Sequence, residues 1–230
     1  MYTGSKLLGW IVSMAMIFGL TLMFLPEGYA MLITWFNPVF GLNLTVILTE
    51  LYALLGPYND MVHISILIGA ALVGGLIAGT GKGGLAVAIS TLFFGFLLIV
   101  GFGVLSVFTV MTNPTVQAQL MSLITSPPPG VDIVAVLSAP VIGGLVDSLI
   151  TFILSGFGGG FDIPTLISSV IQPILTALII NVLIALIIGA IGGKIGGYIL
   201  PKKEKLAKKI ESKTTSPLEP MFKPDEGVSV

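Results

Sequence analysis

Cysteine and arginine are both missing from this 230-residue chain, and histidine occurs once, at His63. The first absence excludes disulfides, thiol catalysis and thiolate-held metals. The second removes the forked donor that grips phosphate and carboxylate groups. A lone imidazole leaves no second ligand to complete a metal set. Charge is scarce too: charged residues make up 9% of the chain, against about 25% in soluble domains. Nucleic acid finds no basic groove. With no nucleophile–base pair, metal cluster or cofactor loop on view, the reading is a non-enzymatic protein without a cofactor.

What is present is long hydrophobic sequence. The chain is 55% hydrophobic with a mean hydropathy of +1.07, which predicts an all-α integral membrane protein. A span needs roughly 20 apolar residues. The clearest unit is a hairpin from Val62 to Met111, two uncharged runs flanking a turn whose single charge is Lys82. That turn, Gly79 to Gly84, lacks the spacing and the Ser/Thr after Lys that a phosphate loop requires. An earlier run covers 6–25 and ends at Pro26; its length favours a retained helix over a signal peptide. The last run extends from Ile163 to Leu200 with Asn181 midway.

Between these runs lie broken apolar segments. Residues 26–61 carry Asn37-Pro38 and Gly56-Pro57, which bracket a predicted helix from Leu42 to Leu55. Residues 112–132 are polar and proline-rich, and Ser126 to Gly130 (SPPPG) predicts a stiff polyproline connector. Residues 133–155 form a second broken run, in which Asp147, Ser148, Thr151 and Ser155 share one helical face. The stretch FGGGFDIP, Phe157 to Pro164, resembles the glycine-rich segment of sulfite and organosulfonate exporters. That resemblance covers this one segment, hints at transport and carries over no site residues.

Small residues recur at spacing four. Ala71, Gly75 and Gly79 form one stripe, and Ala185, Gly189, Gly193 and Gly197 form another. Such stripes let helices approach closely in lipid, either within the chain or between subunits. Pro201 stops the last run. The lysines that follow, Lys202, Lys203, Lys205, Lys208 and Lys209, suit anionic lipid headgroups, with a cytoplasmic protein partner as the alternative. Beyond Lys213 the tail reads as disordered by itself. The chain thus divides into 1–111, a first membrane repeat with the hairpin; 112–200, a proline-rich outer loop, a broken helix and the last span; and 201–230, a lysine-rich helix and tail.

The two broken segments match each other at a shift of 102: Pro38, Val39 and Gly41 pair with Pro140, Val141 and Gly143, and Asp60 with Asp162. Ile68-Gly69-Ala70 recurs as Ile188-Gly189-Ala190 at another shift, so an internal duplication is expected. Four spans, with both broken segments as interfacial or re-entrant helices on the outer face, put Lys6, Lys82 and the lysine tail on the cytoplasmic side. This favours the cell membrane, multi-pass, with both termini inside. The alternative is six spans arranged as a 3+3 inverted repeat, which moves Lys82 outside.

Two carboxylates lie within apolar sequence, Asp147 and Glu50. Each is a candidate ion contact, since a charge in lipid is expensive. The plainer reading puts both on the wet face of an interfacial helix. Asp60 and Asp162 suit turns and caps. His63 reads as a boundary residue facing headgroups, and Asn181 as an interhelical hydrogen-bonding group. The expected function is a membrane subunit that packs through its stripes into a homo-oligomer or a larger membrane complex. The alternative is a small channel or secondary transporter with Asp147, and with it Glu50, in the permeation path.

Overall fold

The structure, a computed structural model, describes residues 3–139, 141–144, 146 and 172–199. Among these there are helices and no strands. Four helices are long and apolar enough to cross a bilayer: α1 (Thr3–Met23), α4 (Met61–Ala78), α5 (Gly81–Thr112) and α8 (Gln172–Ile199). The chain is therefore read as a multi-pass membrane protein. Shorter helices connect them: α2 (Glu27–Phe40), α3 (Leu42–Leu55), α6 (Pro114–Thr125) and α7 (Ile133–Ser138).

Local chemistry sets the helix ends. Gly79 closes α4 in the left-handed region, φ 68°, and its N–H donates to the Gly75 and Leu76 carbonyls. One residue later the Thr80 hydroxyl accepts from Gly83 N at 3.0 Å and caps α5. The GTGKGG stretch is thus a two-helix corner. Asp60 caps α4, accepting from the backbone N–H of Val62 and His63. Asp132 caps α7 through Val134 and Ala135.

Two short helices differ from the sequence reading. Asn37-Pro38 does not end a helix; α2 runs through Pro38 and stops at Gly41, φ 53°. Pro38 removes one backbone bond near the end of α2, and the helix stops two residues later. Residues 114–125, read as connector, form α6, because Asn113 accepts from Thr115 N and Val116 N and Pro114 occupies the first turn. Within 112–132, Asn113 and the stretch from Ser126 to Asp132 remain outside a helix.

Glycines bring α4, α5 and α8 together backbone to backbone. A Cβ on Gly192 would lie 2.5 Å from the Leu72 carbonyl oxygen, and one on Gly196 would collide with the Leu76 carbonyl. Both pairs are 120 residues apart, so α4 and α8 run parallel. Gly84 meets the Gly189 carbonyl and Gly81 approaches Lys194, so α5 runs antiparallel to α8. Gly9 of α1 faces Gly74 and Ala78, and Ser13 faces Gly74, which makes α1 antiparallel to α4. Lys6, Lys82 and Lys194 therefore gather at one end of the bundle.

The predicted helix over 42–55 is α3, and its bounds agree. It has no wet face. Leu42 is its one exposed residue, and Val46, Leu48, Thr49, Glu50, Tyr52, Ala53 and Leu54 are buried. Its C-terminal end enters the bundle beside Asn181 of α8. Asn181 precedes Gly197, which faces Gly79, by 16 residues, or about 24 Å of helix. So α3 ends well short of the lysine-bearing end. Around its N-terminal half, Tyr29, Trp35 and Phe36 of α2 and Val136 of α7 build a separate core, pinned by a bond from Trp35 Nε1 to the Leu123 carbonyl at 2.9 Å.

Candidate functional site

A helix leaves its last carbonyls without intrahelical partners, and inside an apolar bundle no water replaces them. Helix α3 ends in such a place. Asn181 Nδ2 donates to the Leu54 carbonyl at 3.0 Å and to the Gly56 carbonyl at 2.9 Å. His63 Nε2 lies 3.2 Å from the Ala53 carbonyl. Since a carbonyl only accepts, that nitrogen carries a proton. The approach needs Gly56, because a Cβ there would lie 2.6 Å from the His63 ring. Side chains from α4 and α8 thus complete the end of α3.

His63 is 1% exposed, so it does not face headgroups as its position near the start of a span implies. Its ring packs edge-on to Tyr52, with centroids 5.2 Å apart. Tyr52 donates its hydroxyl to Asp60 and also meets Tyr29 edge-on. For Asp60, burial raises the carboxyl pKa, but the bonds from Tyr52, Val62 N and His63 N outweigh it and hold the group below the usual range. Asp60 caps, as its sequence context indicates.

Glu50 stands one turn inside this knot. It is 2% exposed, and Oε1 has no hydrogen-bond partner. Its Oε2 lies 2.7 Å from where a Cβ of Gly95 would stand, so the glycine of α5 makes room for the carboxyl. Gly95 follows Gly81 by 14 residues in the 32-residue α5, near the middle of that helix. The carboxyl is therefore inside the bundle, at neither end.

Threonines separate into two groups. Thr34, Thr109, Thr112, Thr125 and Thr176 each donate to the carbonyl four residues back, the ordinary use of a helical hydroxyl. The buried hydroxyls of Thr49 and Thr91 have no partner. Thr49 adjoins Glu50, and Thr91 is one turn before Gly95 on the same face of α5. That Gly95, on the same face as Thr91, meets the Glu50 carboxyl was not legible in the sequence, since packing alone brings the two helices together.

The glycine stripes are brought together within the chain. Ala71 and Ala185 share one core cluster, Gly75 meets Gly189, and a Cβ on Gly197 would lie 2.8 Å from the Gly79 carbonyl oxygen. Gly193 closes on the Thr80 carbonyl. Sequence reading missed Gly84, which packs against Gly189 from α5. Asp147, Asp162, the FGGGFDIP stretch and the lysines from Lys202 to Lys209 lie outside the described residues. Among the described residues no group of three or more His, Asp or Glu could hold a metal ion. Comparison with protein-family models, curated proteins and solved structures finds no match to this chain.

Proposed function

We propose that this protein is a small, non-enzymatic membrane transport protein, a channel or secondary carrier, with Glu50 in its permeation path. One observation carries the reading: a carboxyl that is 2% exposed, with an unpartnered oxygen, inside an apolar helix bundle. Intramembrane carboxyls are costly and belong to ion paths far more often than to packing. Asp147 is the second proposed contact. The spent stripes support this order of readings, because their close contacts are already made between α4, α5 and α8.

The topology that goes with it has four spans. Lys6, Lys82 and Lys194 sit at one end, which the loop-charge rule assigns to the cytoplasm together with both termini. Six spans would separate Lys6 from Lys82 by the bilayer thickness. Helix α3 is then a re-entrant element on the outer side, and the lysines from Lys202 onward rest on anionic headgroups. In proteoliposomes with an entrapped pH dye, Glu50→Gln is expected to abolish proton flux; flux equal to wild type overturns the reading. Lys82→Cys is expected to be labelled from the cytoplasmic side and Tyr58→Cys from the other. Labelling of both from outside overturns the four-span arrangement.

The membrane-subunit reading keeps one observation of its own. Helix α5 is about 48 Å long against a hydrocarbon core of about 30 Å. Val104, Leu105, Val107, Phe108 and Met111 near its end are exposed and apolar. A second copy or another membrane subunit would cover them. Native mass spectrometry from detergent is expected to show the oligomer; a lone monomer overturns this second reading.

A further inference from the structure

We infer that Glu50 is a proton-binding site, holding its carboxyl as the neutral acid in the resting protein and exchanging that proton during function. The inference rests on the transport reading for its purpose and names the transported or coupled species as H⁺, not a metal cation. The first ground is the absence of a facing cation among the described residues. The titratable groups on helices packed against α3 are Lys6 on α1, Glu27 and Tyr29 on α2, His63 on α4 with Asp60 at its cap, Lys82 on α5, and Lys194 and Tyr198 on α8. The lysines are all at the far end of the bundle. His63 is engaged by the Ala53 carbonyl. With no cation opposite it, a buried carboxylate is costly, and taking up a proton is the direct way to remove the charge.

The second ground is the ligand set. Hard metal cations take about six to eight oxygens. Glu50 is the only acidic side chain buried among the described residues. A proton asks for less, a single carboxyl oxygen to hold it. Glu50 Oε1 is buried and unpartnered. The third ground is space. Gly95 is the position on α5 where any side chain would strike the carboxyl oxygen. A buried carboxyl with an unpartnered oxygen and a glycine notch that makes room for it together make a site for a proton.

Infrared difference spectroscopy tests this on the full chain in lipid nanodiscs. The expected result at neutral pH is a carboxylic-acid carbonyl band that Glu50→Gln removes, that shifts in D₂O, and that disappears on raising the pH. Biosynthetic labelling of glutamate at the carboxyl carbon must move the same band in the wild-type protein, which keeps the test valid if the variant does not fold. Absence of an acid band at neutral pH, or a band unaffected by glutamate labelling, overturns the proposal. A band that appears only when Na⁺ is replaced by choline overturns the proton assignment in favour of a sodium site. Band loss in Glu50→Gln with unchanged flux leaves the proton site standing and sinks the transport reading. Flux loss without any acid band sinks the site alone.

Discussion

The lysine-bearing end of the bundle and the region around the end of α3 are held by opposite means. Near the lysines, α4, α5 and α8 meet through glycine, and backbone rests on backbone with hardly a polar side chain between. Around the end of α3 the packing is by large and polar groups: Tyr29, Tyr52, His63, Asn181 and Glu50. The difference teaches that a lipid-solvated bundle gains cohesion from close approach where all backbone bonds are internal. It needs side-chain donors where a helix ends inside it.

The sharpest way to break that contrast is to thicken the glycine end. Gly84→Val is expected to destabilise by about 3 kcal/mol, because even its Cβ would enter the Gly189 carbonyl. Steric-trap unfolding in micelles reads this. If Gly84→Val were tolerated, close backbone packing would not be what holds α5 to α8. At the polar end, Asn181→Leu strips donors from two carbonyls and is expected to cost about 1–2 kcal/mol in the same assay. A neutral result would mean that the end of α3 needs no partner from α8.

A smaller effect sharpens the account of the α3–α4 junction. Asp60→Ala is expected to lower stability by about 1 kcal/mol as a lost helix cap. Its pH dependence has a definite sign. The folded-state pKa is depressed, so the carboxylate's contribution is present at neutral pH, fully so above the unfolded value. It is lost as the pH falls through the lower, folded value. The melting temperature of the wild type should therefore drop in acid by more than that of Asp60→Asn, which keeps a cap without the charge. Equal acid profiles would remove the charge from the explanation. The smallest change is a control: Gly69→Ala and Gly101→Ala meet open space and are expected to stay within about 0.5 kcal/mol of wild type. A large loss at either would point to a partner surface on α4 or α5.

Much of this architecture is legible in the residues. Uncharged runs mark the four long helices, and the pairs Asn-Pro and Gly-Pro bracket α3 closely, although the true upstream boundary is Gly41. Helix α6 had a readable signal in Asn113-Pro114, a cap followed by a first-turn proline, which the nearby triple proline obscured. The candidate site was legible only in part. Glu50 stands out as a carboxylate in apolar sequence, but a helix-face argument puts it in water as readily as in a core. His63 near the start of a span looks like a boundary residue because its partner, the Ala53 carbonyl, is a backbone group that sequence does not advertise.

Local residue patterns set the solvent of this protein and the pieces it is cut into, because the length of an uncharged run and the placement of glycine, proline and capping residues act over a few neighbours. Tertiary structure alone decided which glycines touch, that the stripes of α4 and α8 lie parallel, and that α3 turns inward so that Asn181 and His63 complete its end. It also decided that Glu50 faces Gly95. Those facts join residues as many as 127 positions apart, and such pairings are fixed by which surfaces fit at close range.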